Sequence, residues 1–178
     1  MRILYIIGKF ITFPGAYLRA FWEQLTCRLL KLPVEEKKYL SADEACGHVE
    51  HSLAKKGFAS YLMATGPGFM NMITGWPLFL MGYLNLKVMG ITPYDSIPLF
   101  ILYVLSAYVG ISLLCCQFPM VEDILNFWEI AYKEKKVNIF GRIFAFIPAL
   151  VTRIGAALET VSVPVIFWIA FGIYIFVK

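Results

Sequence analysis

The positions of charged residues divide the chain into long apolar stretches. Residues 57–86, 96–121 and 160–177 contain no Asp, Glu, Lys or Arg. A helix needs roughly 20 apolar residues to cross a bilayer, and each stretch meets or approaches that length. Apolar and polar residues do not alternate strictly in these stretches, so the pattern predicts membrane-spanning helices rather than strands.

The N-terminal segment 3–31 is also mostly apolar, although it contains five charged residues. Proline disfavours helical angles in the residue before it, so Pro14 divides the segment. We expect residues 3–13 to form an interfacial leg. A helix then runs from Pro14 to about Leu32, because Pro33 follows as a stop signal.

The C-terminal third is harder to divide into spans. The apolar segment between Asn138 and Thr152 is interrupted by Arg142, and we expect it to lie at the membrane interface. The last span is expected to begin before Glu159. These assignments predict an all-α, polytopic membrane helix bundle. It forms a single integral membrane domain over 1–178 with four transmembrane helices, or five if the interfacial segment also crosses.

Composition strengthens the membrane assignment. Hydrophobic residues make up 60% of the chain and charged residues 16%, against about 45–50% and 25% in soluble domains. This balance excludes a soluble globular protein, a disordered chain and a disulfide scaffold. Lysines cluster in the loops at 33–56 and 122–140, which predicts that both loops are cytoplasmic. The net charge of +4 therefore needs no nucleic-acid partner.

Charged and polar residues within the predicted spans are the candidate functional groups. Arg19 and Glu23 are four residues apart, so they share a helix face and can pair. Asn71 is a candidate functional group, and the simpler alternative is that it forms an interhelical hydrogen bond. His48 and His51 could form half of a metal site, but we favour two polar loop residues. The cysteines show no CxxC spacing, and we interpret them as packing residues.

Several short motifs follow one another over roughly residues 10–130. They are Pro14-Gly15, Arg19-Ala20-Phe21-Trp22-Glu23, Gly47-His48-Val49-Glu50-His51, Gly66-Pro67 with Asn71, and Phe118-Pro119 with Asp123 and Trp128. In order and spacing they resemble the site-2-protease-like intramembrane zinc metalloproteases, especially the small bacterial and archaeal branch. The resemblance implies a prokaryotic cytoplasmic membrane. It also places Asn71, Gly66, Pro67, His48 and His51 along a groove between helices.

The chain departs from this family at the catalytic motif. The family's HExxH motif supplies two zinc-binding histidines and a general base, and those positions read Arg19, Ala20 and Glu23 here. Asp123 stands where the resemblance implies the third zinc ligand. A guanidinium has no lone pair for a metal. We therefore expect a vestigial site with no catalytic residue, no metal and no cofactor.

A cation fixed in the protein could replace the zinc ion. We hypothesise that the Arg19 guanidinium holds together Glu23 and Asp123, the acidic groups that a metal would otherwise bridge. The simpler alternative is that Arg19 and Glu23 form only a structural ion pair.

These expectations lead to three functional hypotheses. The first is a pseudoprotease, not an enzyme, that acts as an accessory or binding subunit among membrane proteins and lipids. The second is an active metal-dependent membrane peptidase whose site has moved to His48, His51 and Asp123, with Cys27 or Cys115 as further candidates. The third is a small transporter or channel subunit, which would require a polar path through several spans.

Overall fold

A computed structural model describes residues 2–39 and 47–177, of which about three quarters are helical. The helical class predicted from the sequence is therefore confirmed. The elements in chain order are α1 (Arg2–Ile11), α2 (Phe13–Leu30), β1 (Val34–Lys38), β2 (His48–His51), α3 (Gly57–Tyr83), α4 (Ile97–Cys115), α5 (Val121–Trp128), α6 (Ile139–Glu159) and α7 (Val163–Val177). π-Helical turns extend α3 over Leu84–Val88 and α5 over Glu129–Lys133.

The ends of α2 follow the predicted signals closely. Proline is tolerated in the first helical turn, where no N–H partner is needed, and Pro14 lies there. Lys31 adopts a left-handed conformation at φ 55°. Its N–H and that of Leu32 donate to the carbonyls of Arg28 and Cys27, which closes the helix at Leu30, two residues before the predicted end.

α3 and α4 pack closely side by side because small residues line their contact. A Cβ on Gly82 would lie 2.7 Å from the Tyr103 carbonyl oxygen, and one on Gly110 would lie 2.3 Å from the Phe79 nitrogen. Without those side chains the backbones can approach, as is common between membrane helices. The helix α2 packs against both members of this pair, α6 packs against α3, and α7 packs against α4.

The predicted cytoplasmic loop 33–56 contains a small sheet that the all-α prediction lacked. β1 and β2 pair antiparallel, with Val34 opposite His51 and Lys38 opposite His48. Residues 40–46, which belong to the same predicted loop, lie outside the described residues. The hairpin places His48 and His51 against the helices instead of in solvent.

Two helices of the described residues, α4 and α6, are long and apolar enough to cross a membrane, by a criterion of length and composition only. The segment expected at the interface is thus part of a continuous 21-residue helix. α7 is shorter, with 15 residues. The prediction that the last span begins before Glu159 is wrong, because the chain turns at 160–162, where Ser162 has a φ of 62°.

Contacts between distant segments define two ends of the bundle. At one end, Lys87 Nζ donates to the carbonyl of Phe176 at 3.2 Å, which joins the α3–α4 connection to the end of α7. At the other end, Asn126 Nδ2 donates to the Ala54 carbonyl at 3.0 Å. The two lysine-bearing loops predicted to share a face therefore contact each other.

Candidate functional site

The buried face of α2 carries both residues of the predicted ion pair. Arg19, Ala20 and Glu23 are all buried, and the exposed fraction of Arg19 is 0%. They recur at the three- and four-residue spacing that aligns side chains on one helical face. That face turns toward α3, α4 and β2, so two charged side chains enter the protein interior together.

Glu23 is the centre of the site, because three donors bind its two carboxylate oxygens. Arg19 Nε donates to Oε1 at 2.9 Å, and His48 Nδ1 lies 2.9 Å from the same oxygen. The backbone N–H of Val49 donates to Oε2 at 2.9 Å. A buried carboxylate is tolerated only when it is neutralised and hydrogen-bonded. Arg19 and β2 together meet both requirements.

Asp123 binds a different partner from the one hypothesised. Its Oδ1 lies 3.5 Å from His51 Nε2, while His51 Nδ1 lies 3.0 Å from the Ser52 carbonyl oxygen. Burial lowers the pKa of His51, but the hydrogen bond and charge of Asp123 outweigh it and raise the pKa to about 9. The expectation that one guanidinium holds both acids is therefore corrected. Arg19 pairs with Glu23, and the His51 ring pairs with Asp123.

The second guanidinium contact explains why α3 has glycine at position 68. Arg19 Nη1 donates to the carbonyl of Gln117 at 3.2 Å. A Cβ on Gly68 would lie 1.8 Å from that oxygen and 2.7 Å from Nη1, so only glycine fits. Pro67 is buried beside it. Gly66 differs, because a Cβ there would meet only the Leu62 side chain.

Asn71 forms interhelical hydrogen bonds, which agrees with the simpler of its two interpretations. Its Nδ2 donates to the Gly15 carbonyl at 3.2 Å and to the Cys116 carbonyl at 2.7 Å. The side chain thereby ties α3 to the start of α2 and the end of α4. Gly15 also donates from its backbone N–H to Ser112 Oγ at 2.8 Å.

A second buried ion pair lies beyond Asn71, and the sequence interpretation missed it. Lys9 Nζ donates to Glu159 Oε1 and lies 3.8 Å from the Cys116 sulfur. Both charged residues are buried, with exposed fractions of 0% for Lys9 and 4% for Glu159. The signal was present as two isolated charges at the edges of apolar stretches. Their separation of 150 residues concealed the pairing.

These contacts line up into what we call the polar track, a buried series of side chains between the two ion pairs. It consists of Glu159, Lys9, Cys116, Thr12, Ser112, Asn71, Arg19, Glu23 and His48. Thr12 Oγ1 lies 3.6 Å from the Cys116 sulfur, and Ser112 Oγ donates to the Thr12 carbonyl at 2.8 Å. Four polar atoms along it or beside it are buried without a hydrogen-bond partner: Arg19 Nη2, Asn71 Oδ1, Glu159 Oε2 and Ser162 Oγ.

The donor set around Glu23 does not suit a zinc ion. Zinc requires lone pairs from imidazole, thiolate or carboxylate in a tetrahedral arrangement. Here both Glu23 oxygens and His48 Nδ1 are already hydrogen-bonded, and the guanidinium offers no lone pair. Among residues 2–39 and 47–177, no three His, Cys, Asp or Glu side chains converge as metal ligands would. His48 contacts the carboxylate of Glu23, whereas His51 contacts that of Asp123.

Comparison with protein-family models, curated proteins and solved structures finds no match to this chain. The geometry of the site and the motifs in the sequence are therefore the features that bear on function.

Proposed function

We propose that the protein is a catalytically inactive relative of the intramembrane zinc proteases that acts as an accessory or binding subunit of a membrane complex. The observation that carries the proposal is the Arg19–Glu23–His48 cluster. Arg19 and Glu23 occupy the two positions where the resembling family has zinc-binding histidines. A cation fixed in the chain neutralises the carboxylate there, where an enzyme would need a metal to generate hydroxide.

The proposed setting is a prokaryotic cytoplasmic membrane, with α2, α3, α4 and α7 as the four spans and the hairpin side in the cytoplasm. The contact between Lys87 and Phe176 supports this order, because four spans bring the α3–α4 connection and the C-terminus to the same side. The length and apolarity of α6 support the five-span alternative.

The outer surface of α6 supports a binding role. Phe140, Phe144 and Ile147 have exposed fractions of 69%, 80% and 70%. Large exposed apolar surfaces mark contact with lipid or with another protein. Without a metal-generated nucleophile, the groove beside the site would hold a peptide segment, a lipid or a partner helix without cutting it.

Metal analysis and co-purification test this proposal together. We expect protein purified from native membranes to contain no stoichiometric zinc and to retain a stoichiometric membrane partner. Stoichiometric zinc that is lost in His51→Ala, with peptidase activity lost alongside it, would overturn the proposal in favour of the relocated metal site. Leu53→Ala serves as a matched control, because Leu53 is exposed near His51.

A transporter or channel subunit is the second candidate, favoured by the polar track. Proton flux into proteoliposomes distinguishes it from the accessory role. Flux that is abolished in Glu159→Gln protein shown to be folded by thermal unfolding would support transport, since Glu159 lies at one end of the track. No flux above that of empty vesicles is expected for an accessory subunit.

A further inference from the structure

An apolar groove runs along the outside of α4 and α7, away from the Arg19–Glu23–His48 cluster. Its volume is about 720 Å³, and its walls include Phe100, Val104, Ile111, Ile169 and Ile173. Val104 is exposed, so the groove opens on the surface of the bundle. It therefore faces the surroundings of α4, one of the two helices apolar enough to span a membrane.

The length of the groove matches one leaflet of a bilayer. Along α4 it extends from Phe100 to Ser112, which at 1.5 Å per residue is about 18 Å. Half of the hydrocarbon core is about 15 Å thick. An extended hydrocarbon chain would therefore fit along it from the membrane surface toward the midplane.

One end of the groove carries a positive charge. Lys87 is the single charged residue among the fifteen described residues that line the groove. It lies in the π-helical turn Leu84–Val88, a feature frequently found at functional sites. Its ammonium uses one of three N–H donors on the Phe176 carbonyl. Asp95, the one acid between residues 84 and 96, accepts hydrogen bonds from Thr92 at 2.8 Å.

The opposite end of the groove is polar but already satisfied. Thr12 Oγ1 donates to the Gly8 carbonyl at 2.8 Å, and Ser112 Oγ donates to the Thr12 carbonyl at 2.8 Å. Tyr108 donates its hydroxyl to the Ile11 carbonyl at 2.7 Å. These hydroxyls already donate hydrogen bonds within the protein, so the end near Lys87 is the one that offers a polar contact to a ligand.

We propose that this groove binds an anionic phospholipid, with one acyl chain along α4 and α7 and the phosphate at Lys87. The apolar walls accept the chain, the leaflet-like length sets its extent, and the charge at one end selects an anionic headgroup. The site does not depend on the proposed loss of metal chemistry, since it shares no residue with the Arg19–Glu23–His48 cluster.

Lipid retention by the whole purified protein tests this site. The protein is loaded with phosphatidylglycerol or phosphatidylcholine in nonionic detergent, and bound lipid is counted by native mass spectrometry. We expect one phosphatidylglycerol per chain, retained over phosphatidylcholine and not displaced by inorganic phosphate. A basic residue near a membrane surface contributes about 1 kcal/mol to attraction of anionic lipid, so Lys87→Gln should weaken retention about fivefold.

Two substitutions separate headgroup binding from chain binding. Val104→Trp should block the chain and abolish retention of either lipid, and Ile143→Trp on the exposed surface of α6 is its control. Lys133→Gln controls for Lys87→Gln, because Lys133 is exposed at the other end of the bundle. Thermal unfolding of each variant verifies that it is folded.

Two results would overturn the proposal. Equal lipid retention in Lys87→Gln and Lys133→Gln would indicate a nonspecific lipid belt. Unchanged lipid retention in Val104→Trp together with loss of a co-purifying membrane protein would assign the groove to a partner helix. Stoichiometric zinc in the metal analysis would contradict the proposed function but would leave the lipid result unaffected. Failure of one proposal can therefore be told from failure of the other.

Discussion

At the scale of single residues, Glu23 depends on its partners. Its carboxylate is surrounded by Arg19, His48 and the Val49 N–H at 2.9 Å each. Removing one partner of a buried pair leaves an uncompensated charge, whereas removing both does not. Arg19 is therefore expected to act on stability through Glu23 and not through its own packing alone.

We predict that Arg19→Gln lowers the free energy of unfolding by about 3–5 kcal/mol. The double variant Arg19→Gln/Glu23→Gln should lose less than the sum of the two single variants. Chemical unfolding in detergent measures each value, and Arg28→Gln is the control because Arg28 is exposed on the same helix. Additive losses would contradict a direct pair.

The His51–Asp123 contact predicts a dependence on pH. The pKa of His51 is about 9 in the folded protein, above its ordinary value near 6.5. The contribution of this contact to stability is therefore fully present below about pH 6.5 and is lost as the pH rises through about 9. Asp123, the Ser52 carbonyl and the charge of Glu23 are the groups that favour the imidazolium.

Thermal unfolding between pH 6 and pH 10 measures this effect. Wild-type protein should lose more stability across that range than His51→Asn, which cannot carry the charge. The difference between the two curves removes the contribution of other groups that titrate there. Parallel curves for the two proteins would show that His51 is not charged in the folded state.

At the scale of elements, the turn between α6 and α7 carries local strain. Ser162 has a φ of 62°, and its buried hydroxyl has no hydrogen-bond partner. Left-handed backbone costs a residue with a Cβ about 1–2 kcal/mol, and glycine is free of that cost. The strained turn separates α6, which has 21 residues, from α7, which has 15.

We predict that Ser162→Gly raises the free energy of unfolding by about 1 kcal/mol or more, because it relieves the strain and removes the unpaired hydroxyl. Thr160→Gly is the matched control two residues away. Thr160 has a helical φ of −59°, so glycine should destabilise there by about 0.5–1 kcal/mol. Opposite signs for the two changes, measured by thermal unfolding, are the expected outcome.

At the scale of the whole molecule, the Lys9–Glu159 pair connects the first helix to the end of α6. Lys9 lies on α1 and Glu159 ends α6, next to the turn that leads to α7. The polar track links this pair to the Arg19–Glu23–His48 cluster through Cys116, Ser112 and Asn71. Asn71 and Arg19 bind the neighbouring carbonyls of Cys116 and Gln117. A change at Glu159 should therefore loosen the docking of α1 against α6 and α7.

We predict that Glu159→Gln destabilises the protein by about 3–5 kcal/mol, because Lys9 remains buried and charged. Lys9→Met/Glu159→Met should recover most of that loss, since an apolar pair of similar volume avoids the cost of burying charge. Unfolding of the single and double variants measures both effects. Lys133→Gln is an exposed lysine control. A double variant no better than Glu159→Gln would count against the ion pair.

Local patterns in the sequence determined the helices and the pairing of Arg19 with Glu23. The charge-free stretches predict α3, α4 and α7 because a helix satisfies its own backbone within one segment. The four-residue spacing of Arg19 and Glu23 predicts their pairing because one helical turn separates them. The helical class and the hydrogen-bonding role of Asn71 follow from the same short-range rules.

Only the tertiary structure decided which distant groups meet. The hairpin brings His48 to Glu23 and His51 to Asp123. The sequence pattern instead predicted two loop histidines and a contact between Arg19 and Asp123. Lys9 and Glu159 pair across 150 residues, and no periodicity records such a contact. The physical reason is that helix formation depends on neighbours in sequence, whereas the partners of a buried charge depend on how all the helices pack.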